Sequence, residues 1–150
     1  MLTSLNVPVS EVMSRELTVL RPEDSIDRVD QIFKTRSIHH IPIVTTDGQL
    51  AGIISKSDFL RINHILCLVD EQRFAKFREK LYRHLVVKEV MTEKVATLSP
   101  EDSLPMAADI FRENLFHALP VTDKGILVGL LTTFDLINFC FSQSALLDKN

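Results

Sequence analysis

The sequence predicts a mixed helix-and-strand fold of the α+β (α/β) kind, in which one β-α-β-β-α order occurs twice. Three observations predict it. Val9–Pro42 lies over Val87–Pro120 at an offset of 78 residues, with identities that include Val12/Val90, Met13/Met91, Phe33/Phe111, His39/His117 and Pro42/Pro120. Pro-Glu-Asp-Ser occurs at Pro22–Ser25 and again at Pro100–Ser103, each time followed by apolar residues at helical spacing. Gly-apolar-apolar-Ser/Thr-x-x-Asp occurs at Gly52–Asp58 and at Gly129–Asp135. One residue drops out near Asp47, the offset becomes 77, and the four glycines pair as Gly48/Gly125 and Gly52/Gly129.

Each copy opens on a short turn, Val12-Met13-Ser14 or Val90-Met91-Thr92, leading into a β-stretch at Leu17–Leu20 or Val95–Leu98. Pro-Glu-Asp-Ser then starts a helix, with Asp or Ser as N-cap and acid near the positive end of the helix. Ile26, Val29, Ile32 and Phe33 share one face of the first helix, and Leu104, Ala107, Ala108, Phe111 and Leu115 share one face of the second. Pro105 is tolerated because it falls in the first turn. A strand follows, Ile38–Val44 or His117–Val121. Pro42 or Pro120 inside it withholds a donor and so predicts an edge. Asp47-Gly48 and Lys124-Gly125 predict hairpin turns. The last strand, Leu50–Ile54 or Ile126–Leu131, runs into the Ser/Thr-x-x-Asp helix start.

The repeat divides the chain at 1–62 and 87–150, with a helical linker at 63–86, all within one compact module. Ile62, Ile65, Leu66 and Val69 continue the first closing helix, and Asp70-Glu71 can restart it. Phe74, Phe77, Leu81 and Leu85 form an apolar stripe. Arg73, Lys76, Arg78, Lys80 and Arg83 surround it, either as a solvated face or as a border that helps to hold phosphate. Phe139, Phe141, Leu146 and Leu147 lie on more than one face of the last segment, which suits burial against another chain.

A net charge of −3 makes no overall electrostatic case for nucleic acid. No apolar run approaches the length of a membrane span, and the N-terminus lacks the basic and apolar regions of a secretory signal. Cys67 and Cys140 stand in unrelated contexts, so two buried thiols in a reducing cytoplasm are expected rather than a disulfide. The sequence has no HExxH, P-loop, GxSxG or Cys-x-x-Cys motif. His39 and His40 are adjacent on a strand, so their rings point to opposite faces and cannot chelate together. No catalytic residue and no metal ligand is expected.

The doubled Ser/Thr-x-x-Asp corner has two readings. As a capping box, Ser55 or Thr132 is N-cap and Asp58 or Asp135 is the N3 acid. As a nucleotide corner, glycine admits a close ligand, first-turn N–H groups suit an anion, and the acid can accept bonds from two sugar hydroxyls. One side chain can do both.

The order and duplication of these motifs resemble a tandem pair of cystathionine-β-synthase-type (CBS) domains, often called a Bateman module, over about nine-tenths of the chain. The carrying residues are the two Val-Met-Ser/Thr turns, the Pro-Glu-Asp-Ser helix starts, His39-His40-Ile41-Pro42, His117-Ala118-Leu119-Pro120, and the two corners. The resemblance implies two units packed through their sheets about a pseudo-twofold axis, with ligand clefts between them. It implies an adenosine ligand, AMP, ADP or ATP, sometimes S-adenosylmethionine or a cyclic dinucleotide, and a disc-shaped homodimer.

Carried over, the ribose acceptors are Asp58 and Asp135 and the phosphate-facing hydroxyls are Ser55 and Thr132. Lys56 adds a charge that its counterpart Thr133 cannot, so the two sites are not equivalent. Adenine is expected among Thr18, Val19, Ile38, His39 and Pro42 in one site. In the other it is expected among Ala96, Thr97, Phe116, His117 and Pro120. The function implied is a cytoplasmic regulatory, nucleotide-sensing module, standing alone or signalling to a separate effector protein. The alternative is a structural or dimerisation module whose sites stay empty, with the acids serving only as caps.

Overall fold

Pro42 and Pro120 organise the strands around them. A computed structural model describes residues 6–66 and 71–147. Two compact units form: a middle unit of Thr18–Lys94, and a terminal unit of Met1–Leu17 together with Val95–Asn150. Each holds one antiparallel hairpin and the helices packed on it.

In the middle unit, Ile26–Thr35 forms helix α1 and His40–Val44 forms strand β1. Leu50–Ser55 forms β2, Lys56–Leu66 forms α2 and Glu71–His84 forms α3. Strands β1 and β2 pair with Pro42 opposite Ile53 and a register shift between Ile43 and Val44. The predicted α1 face is the buried one: Ile26, Val29 and Phe33 are buried and Ile32 packs against them. They meet Leu20, Ile41, Ile43, Ile54, Phe59 and Val87. Each such side chain contributes about 1.5–3 kcal/mol, whereas exposed pairs such as Arg83–Glu79 contribute at most about 1 kcal/mol. The apolar cluster is therefore what holds the unit.

Helix α3 belongs to this core in a way its stripe did not predict. Tyr82 is buried, with its ring 6.0 Å from that of Phe59, which lies 5.8 Å from Phe33. Its hydroxyl donates to Asn63 Oδ1 at 3.0 Å. Phe77, expected in the stripe, is 56% exposed. Leu81 and Leu85 are half-buried, and Leu85 packs on the core. Cys67, Val69 and Asp70 lie outside the described residues, as do the side chains of Ile65, Leu66, Arg73, Phe74, Leu146 and Leu147.

In the terminal unit, Leu104–Asn114 forms α4, Ala118–Asp123 forms β3, Ile126–Thr132 forms β4 and Thr133–Leu147 forms α5. Leu104, Ala107 and Phe111 are buried against Val9, Met13, Leu98, Leu119, Val121 and Leu131. Ala108 is exposed and Leu115 is 80% exposed, contrary to expectation. Helix α4 ends at Asn114, and Leu115 takes the left-handed cap conformation, φ 54°, which turns it off the buried face. Cys140 is exposed rather than buried.

The β-stretches expected at Leu17–Leu20 and Val95–Leu98 are not strands. Only Leu20 and Leu98 pair, each through one parallel bridge, to Ile43 and Val121. Leu20 N–H donates to Pro42 O, and Leu20 O accepts from Val44 N–H; Leu98 does the same with Pro120 and Thr122. The next step of each parallel ladder would need the nitrogen of Pro42 or Pro120 to donate to the carbonyl of Thr18 or Ala96. Proline has no N–H, so pairing stops.

The two hairpins explain the one-residue shift of the repeat. Lys124 and Gly125 both have positive φ, 49° and 84°, between paired Asp123 and Ile126: a two-residue type I′ loop. In the first hairpin Gly48 N–H bonds Thr45 O, Thr45 N–H bonds Gln49 O, and only Gly48 has positive φ. That is a three-residue loop, a type I turn closed by a left-handed glycine, and it contains the extra residue.

Hydrogen bonds cross the sequence repeats. Val9 N–H and Ser10 N–H donate to Asp102 O and Pro100 O, and Val87 N–H and Lys88 N–H donate to Asp24 O and Pro22 O. Ser14 exchanges two bonds with Leu130 on the outer edge of β4, and Thr92 exchanges two with Ile53 on β2. Each unit is thus completed by the leading turn of the other repeat.

Candidate functional site

Each corner is built where the second strand of a hairpin turns into a helix. Lys56 N–H donates to His39 O at 2.7 Å, and Thr133 N–H to His117 O at 3.1 Å, so the helix starts are tied to the entry of β1 and β3. Ser55 Oγ donates to Asp58 Oδ2 at 2.7 Å and accepts Asp58 N–H at 3.0 Å. Thr132 Oγ1 donates to Asp135 Oδ2 at 2.7 Å and accepts Asp135 N–H at 3.1 Å; Thr132 N–H also donates to that oxygen at 2.8 Å. The second is a capping box; the first has the hydroxyl-to-amide half of one. The remaining oxygens differ: Arg61 Nη2 lies 3.7 Å from Asp58 Oδ1, whereas Asp135 Oδ1 has no partner among the described residues.

All predicted residues of one site fall within one unit. Thr18, Val19, Ile38, His39, Pro42, Ser55, Lys56 and Asp58 belong to the middle unit, and Ala96, Thr97, Phe116, His117, Pro120, Thr132, Thr133 and Asp135 to the terminal one. Ser55, Lys56 and Asp58 are brought together with His39 by the bonds above, and Thr132, Thr133 and Asp135 with His117. Asp58 keeps 46% of its side chain exposed. The side chains of His39 and His117 are exposed; their carbonyls do the positioning. Pro42 and Pro120 are buried in their strands. Val19 and Phe116 are exposed, at 38% and 40%. Thr18, Val19, Ala96 and Thr97 use neither N–H nor C=O in backbone bonds among the described residues.

Two contributors were missed. Arg36 at the C-cap of α1 donates from Nη1 to Thr18 Oγ1 at 3.0 Å, tying the loop to the helix. Nothing local in the sequence signals it, because Thr18 and Arg36 are eighteen residues apart. Arg61 was missed as well, although its i, i+3 spacing from Asp58 could have signalled it. In α3, Lys76 is exposed and Arg78 half-buried. A shallow depression of about 260 Å³ is lined by Lys76, Glu79, Lys80, Arg83 and His84, none of them a corner residue. Among the described residues no group of three or more His, Cys, Asp or Glu could hold a metal ion.

The CBS domain family model matches residues 9–65 and 87–142, one match on each repeat. The chain belongs to the CBS domain family. Solved structures similar to it include CBS-pair proteins. The uncharacterized protein MJ1426 of Methanocaldococcus jannaschii is 32% identical over 86% of this chain and 88% of its own length. MJ1225 of the same organism is 29% identical over 96% of this chain, which spans only 46% of that relative. Homoserine O-acetyltransferase of Methanohalobium evestigatum matches 85% of this chain over 23% of its own length, at 26% identity.

Among solved structures, the CBS domain of a CBS domain-containing membrane protein from Sphaerobacter thermophilus is 31% identical. It covers 88% of this chain and 86% of its own, with a TM-score of 0.73. CBSX2 in complex with AMP is 25% identical, with a TM-score of 0.76, over 91% of this chain and 98% of its own. No helix among the described residues is long and apolar enough to cross a membrane.

Proposed function

We propose that this CBS pair is a regulatory module that binds an adenosine ligand at its corners, with AMP, ADP or ATP in at least one of them, and that it is not itself an enzyme. The observation that carries the reading is the doubled corner. In both units a hydroxyl and an acid are locked at a helix start that is tied by its first amide to the strand carrying the proline. Asp135 is held through Oδ2, which leaves Oδ1 for a ribose hydroxyl. The carbonyls of Thr18 and Ala96, deprived of ladder partners by Pro42 and Pro120, suit the amino edge of adenine, and Ile38 or Phe116 suits its face. The AMP complex of CBSX2 supports this reading.

A ligand that favours one arrangement of the chain shifts its population, and a separate effector protein or a second copy reads the change. Helix α5 exposes Phe134 (67%), Ile137 (52%) and Phe141 (72%) at i, i+3 and i+7, which supports a homodimer through this face. A cytoplasmic location, where adenine nucleotides are abundant, belongs to the same reading.

One observation favours the structural alternative: both acids are already bonded to the capping hydroxyl of their helix start. A thermal-shift panel separates the two, because a ligand of the native state must raise stability. Ligand at a hundred times its Kd adds about 2.7 kcal/mol. A rise in Tm with AMP, ADP or ATP supports binding, and no rise with any of them leaves the capping role alone.

A further inference from the structure

We propose that the two corners divide their ligands by charge: the Ser55/Asp58 corner takes a 5′-phosphorylated adenosine, and the Thr132/Asp135 corner takes an adenosine whose 5′ substituent carries no phosphate. This rests on the adenosine-binding reading above. The carrying observation is a set of three cations in the middle unit that the terminal unit lacks. Arg36 bonds Thr18 at 3.0 Å, Lys56 is the first residue of α2, and Arg61 lies 3.7 Å from Asp58. At the matching positions of the repeat stand Asn114, Thr133 and Asn138. Asn114 is turned back on its own helix, where Nδ2 donates to Ile110 O at 3.0 Å.

The apolar residues move the other way. Leu115, Phe116 and Phe134 are 80%, 40% and 67% exposed where the middle unit has Ser37, Ile38 and Ser57.

The backbone cannot make this distinction. In each corner the first amide of the helix donates to a strand-entry carbonyl and the third to the capping hydroxyl. Both helix starts use these two amides in the same way, so side-chain charge decides. A phosphate carries about −1.5 to −2 at neutral pH. Beside Asp135 it meets a carboxylate that no cation at the three matching positions offsets. At the Ser55/Asp58 corner it meets Lys56 and Arg61 against one carboxylate, with Arg36 held at Thr18 in the same unit. Arg61 is 73% exposed, so the attraction is sensitive to salt.

The test is calorimetric titration with adenosine and with AMP at low and high salt. The proteins are the wild type, the variant Arg36→Asn/Lys56→Thr/Arg61→Asn, and the transplant Asn114→Arg/Thr133→Lys/Asn138→Arg. The proposal expects one phosphate-dependent, salt-sensitive site in the wild type. The AMP-to-adenosine affinity ratio should fall about tenfold or more in the first variant, and a second phosphate-dependent site should appear in the transplant. The transplant keeps the proposal testable if the first variant does not fold. Equal AMP and adenosine affinities at both wild-type sites, or an unmoved ratio in both variants, overturns the division while adenosine binding stands. No binding of either compound to wild type overturns both.

Discussion

Met13 Sδ occupies the space that a Cβ on Gly129 would need, and Met13 Cγ would lie 2.8 Å from that Cβ. Met91 fills the matching space over Gly52, with Sδ 2.7 Å from where a Cβ would sit. The methionine of each leading turn and the glycine of each corner strand are therefore one packing unit. Each pair joins residues from different repeats.

This contact predicts unequal costs for alanine. At Gly129 the obstacle is the Met13 side chain. At Gly52 it also includes Thr92 O, a backbone atom 2.6 Å from the new Cβ. Gly52→Ala should destabilise by about 2–3 kcal/mol and Gly129→Ala by about 1–2 kcal/mol, the range of overpacking. Met13→Ala should relieve part of the Gly129→Ala cost, whereas Met91→Ala should leave most of the Gly52→Ala cost in place. Urea denaturation of the single and double variants measures the coupling; additive costs at the Gly129 pair contradict it.

Tyr82 gives a second prediction. Tyr82→Phe keeps the ring against Phe59 and loses the bond to Asn63, which costs about 0.5–1.5 kcal/mol. Tyr82→Ala also removes a buried ring and should cost about 3–5 kcal/mol. Phe77→Ala, on the exposed side of the same helix, should stay within about 0.5 kcal/mol. Chemical denaturation ranks the three, and a large Phe77 effect would mean that this face is covered.

The second hairpin gives a third. Lys124 pays for a left-handed φ of 49° in its type I′ turn. Lys124→Asn or Lys124→Gly should stabilise by about 0.4–1 kcal/mol, and Gly125→Ala should destabilise by at least that much. Thermal melts decide; a loss of stability in Lys124→Gly contradicts the turn assignment.

Helix α5 gives a fourth. Phe134→Ser with Phe141→Ser changes two exposed residues, so the fold should hold. Sedimentation should show wild-type dimers and variant monomers. Identical sedimentation of the two proteins removes this face as the interface.

Much of the fold was legible because its signals are local. The inward face of α1, the proline in the first turn of α4, the two hairpin turns and the Ser/Thr-x-x-Asp helix starts each depend on residues within about four positions of one another. Long-range pairing was not legible. The seating of Ser14 on Leu130 and Thr92 on Ile53 crosses the repeat, and no spacing rule points to it. The shortness of the Leu20 pairing could have been read from Pro42, whose missing N–H faces the segment that pairs there. Spacing predicts one apolar stripe of Phe74, Phe77, Leu81 and Leu85, but Phe77 is exposed, the helix ends at His84, and Tyr82 carries the core contact. For the site, the corner residues were found by their repetition, and Arg36 was missed because its partner is distant in sequence.

The central claim is that each corner acid holds a ribose as well as capping a helix. Calorimetric titration of Asp135→Ala and Asp58→Ala with AMP and adenosine, beside the wild type, tests it most directly. Loss of charge-assisted bonds should weaken binding at the altered corner by about 1.5–3 kcal/mol, beyond the roughly 1 kcal/mol of stability lost with the cap. Wild-type affinity in both folded variants would contradict the claim.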